Sequence, residues 1–175
     1  MGSRWYPSQA GGLSPEEILR ESEDFFQGRG AVHTTLRRLS RRLDEEAIPY
    51  AILGGMAMNL LGYTRQTVDL DILLTAEGLQ RFRDRLVGRG YTPAFPGAEK
   101  TFRDAHTGVR IGVLTSGEYP GDGRPKPVSF PDPERAAIER GGYRVVSLEK
   151  LIELKLASGL SASHRELIDH AASSA

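Results

Sequence analysis

The stretch YAILGGMAMNLLGYTRQTVDLDILL, from Tyr50 to Leu74, decides the fold. Tyr50-Ala51-Ile52-Leu53 is a short apolar run behind Pro49 and reads as a buried strand. Gly54-Gly55 breaks it. Met56 to Leu61 can form a short helix closed by Gly62. From Thr67 to Leu74 the chain alternates, with Val68, Leu70, Ile72 and Leu74 on one side and Thr67, Asp69 and Asp71 on the other. Carboxylates at i and i+2 of a strand share a face, roughly 6.5–7 Å apart along the chain. Such a pair can hold hard divalent cations through oxygen. Those ions grip phosphate oxygens and stabilise charge on a leaving group. Two glycines between a strand and a helix expose N–H groups at the helix start and let a phosphate approach closely. Taken singly, Asp-X-Asp also fits a surface strand, and Gly-Gly also fits a tight turn.

Working outward, Ser14-Pro15-Glu16-Glu17 is a helix start with a cap, a first-turn proline and a capping box. That helix should end near Gly28. A second carries Val32, Leu36, Leu39 and Leu43 at helical spacing, with Arg37, Arg38, Arg41 and Arg42 on its outer face. These arginines read as a solvated face or as a stripe for RNA phosphates. After Leu74, a helix with Leu79, Phe82 and Leu86 stops at Gly88 or Gly90. A strand near Tyr91 follows, then a hairpin of Lys100–Asp104 and Val109–Leu114 turning at His106-Thr107-Gly108. Residues 117–127 hold too many turn formers for regular structure. Tyr143–Val146 is a short strand, and Ser147 caps a last helical region. The expected organisation is a flexible start over 1–13, one domain over 14–146, and a helical segment over 147–175 packed on it.

Composition narrows the function classes. The chain has 175 residues, zero formal net charge and no cysteine. Disulfides, thiolate zinc sites and cysteine nucleophiles are excluded, and a reducing cytoplasm is compatible. A neutral chain needs a local patch for any nucleic-acid contact. No apolar run approaches the roughly 18 residues needed to span a bilayer, and no signal-peptide pattern opens the sequence. His33, His106, His164 and His170 are scattered without zinc-like spacing.

Leu53-Gly54-Gly55, thirteen residues, then Asp69-Leu70-Asp71-Ile72 resembles the signature of the DNA polymerase β-like nucleotidyltransferase superfamily. The wider pattern is similar to AbiEii-type toxin relatives: Gly54, Gly55 and Ala57, then Gly62, Tyr63, Arg65, Thr67, Asp69 and Asp71. The resemblance is specific over Ile48–Leu74 and looser to about Ser158. It implies an α+β nucleotidyltransferase fold, a small mixed sheet flanked by helices with a short C-terminal helical part. It implies that Gly54 and Gly55 touch the phosphates of a nucleoside triphosphate, that Asp69 and Asp71 bind Mg²⁺ or Mn²⁺, and that Arg65 reaches phosphate or steadies its loop. Thr67 is expected to support the strand. The implied activity moves a nucleoside monophosphate to a hydroxyl. The acceptor would be tRNA or another RNA, in a cytoplasmic toxin–antitoxin setting with a cognate antitoxin; a small-molecule acceptor is the alternative.

In Leu148–Leu156, helical spacing puts Leu148, Leu151, Ile152 and Lys155 on one stripe, so Lys155 falls on an otherwise inward face. It either snorkels to solvent or meets a partner. In the resembled family a lysine on such a helix faces the triphosphate, which gives Lys155 a catalytic and nucleotide-binding role. Arg165 and Asp169 could supply a further family element, at a different spacing, and the family's longer C-terminal helical part is expected to be reduced.

One departure matters. Many superfamily members place a third carboxylate on a later strand, as metal ligand or base. Here alternation puts Gly112 at that position, between Ile111 and Val113. The chain could use two carboxylates, or recruit Glu118 or Asp122 from the following loop, or bind nucleotide without transferring it. Gly121–Lys126 reads as an ordinary surface loop or as a backbone concavity for anions, and Lys100 and Arg103 read as solvent-exposed or as facing the cleft.

Overall fold

The computed structural model describes residues 14–159. The expected flexible start and the Arg165–Asp169 pair lie outside them. Helix α1 (Pro15–Phe26) starts on the anticipated capping box: Ser14 Oγ accepts from the Glu17 N–H at 3.2 Å, and the Glu17 carboxylate accepts from the Ser14 N–H at 2.7 Å. Those bonds satisfy donors that a first turn leaves without partners. Helix α2 (Ala31–Glu45) buries Val32, Leu36, Leu39 and Leu43, the set its spacing marks out.

Seven strands follow: β1 (Ala51–Leu53), β2 (Asp69–Leu74), β3 (Tyr91–Pro93), β4 (Thr101–Asp104), β5 (Arg110–Thr115), β6 (Ala137–Arg140) and β7 (Tyr143–Val146). They form one mixed sheet in the order β3-β4-β5-β2-β1-β7-β6. Strand β2 is antiparallel to β1 and parallel to β5, while β1 is parallel to β7. The remaining helices are α3 (Gly54–Leu60), α4 (Ala76–Leu86), α5 (Pro133–Ala136) and α6 (Leu148–Ser158). The expected α+β architecture of a mixed sheet flanked by helices is present. Among the described residues no helix is long and apolar enough to cross a membrane.

The side of β2 opposite its two aspartates is the core side. Leu70, Ile72, Ile111, Val113 and Phe102 are buried there, and α2 and α4 pack against these strands. Phe82 of α4 meets Phe102 at 4.7 Å and Tyr91 at 5.6 Å between ring centroids. Aromatic pairs at these separations add to the area they bury. This layer holds β2 rigidly, so its other face can carry charge.

Several boundaries differ from the sequence reading. Helix α3 begins at Gly54 rather than Met56. Strand β2 begins at Asp69, which leaves Val68 outside it and 71% exposed. Helix α5 and strand β6 are additional. The Asp132 side chain caps α5 by accepting from the Glu134 and Arg135 N–H groups. Gly141 and Gly142, at φ 58° and 82°, make the β6–β7 turn. Two residues of positive φ are what a tight hairpin turn of matching twist requires.

The outer face of α2 is only half solvated. Arg37 and Arg41 are exposed, but Arg38 approaches the fully buried Asp104 carboxylate at 3.6 Å. A buried carboxylate needs a compensating charge, and Asp104 sits on β4 where α2 covers it.

Candidate active site

Sheet register assembles the site. Across β1, β2 and β5, Leu53, Asp71 and Gly112 lie side by side, and Asp69 lies beside Arg110. Asp69 and Asp71 therefore share the face away from the core, as alternation demands. Asp69 is half-exposed, and its carboxylate lies 3.6 Å from the Arg110 guanidinium. Asp71 is more enclosed. Burial pushes its carboxyl above the usual carboxylate range; Arg110 opposes that, the Asp69 charge adds to it, and Lys155 opposes it.

The glycines on either side explain how Asp71 fits. A Cβ on Gly54 would stand 2.6 Å from Asp71 Oδ2, and a Cβ on Gly112 would stand 2.5 Å from Oδ1. Each glycine thus leaves room for one carboxylate oxygen. Gly54 also has φ +63°, a left-handed conformation that side-chain-bearing residues rarely adopt. Gly112 is the vacancy beside Asp71 at the position where a third carboxylate was expected.

Gly55 has another contact. A Cβ there would lie 2.9 Å from Thr67 Cβ. Thr67 Oγ1 donates to the Asp69 carbonyl at 3.1 Å, the supporting role expected of it. Asn59 joins this set, and the sequence reading missed it. Its Oδ1 accepts from the Arg65 N–H at 2.7 Å, and its Nδ2 donates to the Gly55 carbonyl at 3.0 Å. Asparagine is disfavoured inside helices because it competes for backbone groups; one four residues after Gly55 was the available signal. Arg65 is exposed, and its backbone is what Asn59 fixes.

Lys155 corrects one expectation. The buried residues of α6 are Leu151 and Leu154, and Lys155 is exposed. The inward face is rotated from the stripe read in the sequence, which places the lysine at its edge. A long amphipathic stem keeps its ammonium in solvent at little cost. Its charge nevertheless acts on Asp71 from a helix far along the chain.

Neither loop carboxylate replaces the missing one. Glu118 is paired with Lys100. Asp122 bonds Lys126 at 2.5 Å, and that hydrogen bond holds its carboxyl below the usual range. The same lysine also donates to the Pro120 carbonyl, so the loop is held by its own cation and agrees with the surface-loop reading rather than an anion concavity. Among the described residues, no group of three or more His, Asp or Glu comes together to hold a metal. A cleft of about 1080 Å³ opens beside Asp69, lined among others by Gln66, Val68, Phe95, Arg29, Arg103 and Arg110. Arg103 thus lines the cleft, whereas Lys100 does not.

No family model and no curated protein matches the sequence. Solved structures do match. A protein of Thermotoga maritima described as a candidate nucleotidyltransferase aligns over 92% of this chain and 96% of its own, at 19% identity and a TM-score of 0.53. The chain has the nucleotidyltransferase fold. ANT(2″)-Ia, solved in complex with adenylyl-2″-tobramycin, aligns over 81% of this chain and 87% of its own, at 17% identity and a TM-score of 0.53. A solution structure of the same antibiotic-resistance factor gives 18% identity over 86% of this chain and 85% of its own, with a TM-score of 0.51. In this nucleotidyltransferase fold, Asp69 and Asp71 stand beside the Gly54-Gly55 turn at the start of α3.

Proposed function

We propose that the protein is a divalent-metal-dependent nucleotidyltransferase that moves a nucleoside monophosphate from a nucleoside triphosphate to a hydroxyl of RNA. The observation that carries this reading is the Asp71 carboxylate lodged between Gly54 and Gly112, with Asp69 on the same face. The donor set suits Mg²⁺ or Mn²⁺: two hard carboxylates, one half-exposed and one whose burial disfavours its charge, which a cation would restore. Bound there, the ion would polarise phosphate oxygens.

The chain's own residues have these roles. Gly54 and Gly55 seat the phosphates, and Arg65 supports them. Lys155 neutralises charge that grows on the leaving pyrophosphate. The acceptor oxygen bonds to the α-phosphorus, the bond to the bridging oxygen breaks, pyrophosphate leaves, and the hydroxyl proton passes to solvent. A positioned base typically contributes 10²–10⁴-fold, and Gly112 supplies none. Residues 14–146 form the catalytic domain, and the segment from Ser147 onward contributes Lys155.

The AbiEii-type resemblance supports tRNA as acceptor and a cytoplasmic toxin with a cognate antitoxin as partner. Gly112 motivates a second reading, a nucleotide-binding regulatory protein without turnover. Incubation with each α-labelled nucleoside triphosphate, Mg²⁺ and total tRNA tests the proposal. Label should enter RNA and vanish with Asp69→Ala. Mg²⁺-dependent nucleotide binding without transfer to any acceptor would favour the regulatory reading instead.

A further inference from the structure

The cleft beside Asp69 has its own charge pattern. Strands β4 and β5 set Arg103 directly opposite Arg110, and β2 sets Asp69 next to Arg110 in the same row. Like charges directly opposed on antiparallel strands destabilise the pair, so something should offset them. Arg110 approaches Asp69 at 3.6 Å, and its charge also acts on Asp71. Arg103 has no carboxylate partner among the described residues; its guanidinium donates to the Gly108 carbonyl at 3.0 Å. Arg29, on another wall, is already neutralised by Asp24 at 3.1 Å. The positive charge in the cleft left without a carboxylate among the described residues is therefore that of Arg103, directly beside the Arg110–Asp69 pair.

The apolar part of the lining is exposed. Phe95 is 58% and Val68 71% accessible, large values for residues that no core needs there. A flat aromatic lining the same cleft as an arginine pair matches a base next to a phosphodiester, because bases stack on aromatic faces regardless of sequence. The cleft's volume of about 1080 Å³ lies at the upper limit of pockets that enclose one small molecule. An extended ligand that passes through suits it better.

We propose that this cleft takes a single-stranded polynucleotide, with phosphodiester against Arg103 and Arg110 and a base against Phe95. Resting on the transferase reading, it is the acceptor subsite, because Asp69 is part of its lining. The same chemistry in a mononucleotide or in inorganic phosphate would engage the arginines without filling the cleft.

The test is fluorescence anisotropy of a short labelled oligoribonucleotide in EDTA, without nucleoside triphosphate, so that the metal site is silent. The oligonucleotide should bind, and its affinity should fall with salt by about 0.7 log units per log unit for each phosphate contacted. Arg103→Gln with Arg110→Gln should weaken binding at least about tenfold and flatten that dependence. Phe95→Ala should weaken it by roughly tenfold without changing the slope. Circular dichroism and melting of each variant should match the parent. Binding by the double-arginine variant equal to wild type, or inorganic phosphate or a nucleoside monophosphate competing as well as the oligonucleotide, would overturn the proposal. Calorimetry of Mg²⁺ with nucleoside triphosphate, run in parallel, separates the two readings. Loss of nucleotide binding with oligonucleotide binding intact sinks the transferase alone, and the reverse sinks the cleft proposal alone.

Discussion

Gly112→Ala separates a vacancy made for Asp71 from a site that has merely lost a carboxylate. The added Cβ would lie 2.5 Å from Asp71 Oδ1 and 3.6 Å from Cγ, with no other heavy atom beyond its chain neighbours within 4 Å. The carboxylate must then retreat by about 1 Å to reach an ordinary van der Waals separation. It cannot retreat freely, since Oδ2 already occupies the space that a Gly54 Cβ would take. A misplacement of about 1 Å in a catalytic constellation costs about 100-fold in rate, or about 2.7 kcal/mol of transition-state stabilisation. Stability should not rise: Gly112 has no positive φ, so alanine gains roughly 0.4–1 kcal/mol from a less flexible unfolded chain, and displacing the crowded Asp71 carboxylate offsets that gain. The assays are label transfer to RNA, electron paramagnetic resonance of bound Mn²⁺, and thermal melting. Turnover and Mn²⁺ affinity unchanged in Gly112→Ala would refute the reasoning, since the carboxylate would then not be needed where it stands.

Other substitutions probe other parts. Asp71→Asn should raise Tm near neutral pH while abolishing transfer. The raised carboxyl pKa means that ionised Asp71 costs folding free energy, so wild-type stability is lost as pH rises from the ordinary carboxylate range through the folded value. Below that range the two melting curves should converge; a constant difference across pH would contradict the assignment. Arg110→Gln should tighten Mn²⁺ binding by about two- to fivefold, because removing one exposed competing partner of Asp69 is worth up to about 1 kcal/mol; weaker binding in titration calorimetry would count against it. Arg38→Ala leaves the buried Asp104 carboxylate without its cation and should cost about 1–3 kcal/mol in urea unfolding, less than a fully buried pair because Arg38 is part exposed. A loss well under 1 kcal/mol would show that the pair is not needed.

Much of the site was legible because it is local. The strand, the glycine turn and the alternating Asp69–Asp71 strand lie within Tyr50–Leu74, where spacing fixes which side chains share a face. What stayed hidden depends on strand register or helix rotation. Alternation and the family resemblance picked out Gly112 as the third-carboxylate position, but its pairing directly beside Asp71 follows only from β2 and β5 running parallel and in register. Lys155 could be placed on a helix, but the rotation of α6 depends on how Leu151 and Leu154 pack. Arg38 read as solvated because its partner, Asp104, lies 66 positions away in sequence and comes near only through the sheet. The β6–β7 hairpin was missed because Gly141-Gly142 read as a simple break.

The most direct test of the account is titration calorimetry of each nucleoside triphosphate into wild type and Asp71→Asn, with Mg²⁺ and with EDTA. The account predicts binding that requires the metal and disappears in the variant although its fold is intact. Nucleotide binding that persists unchanged in EDTA, or that Asp71→Asn leaves untouched, would contradict it.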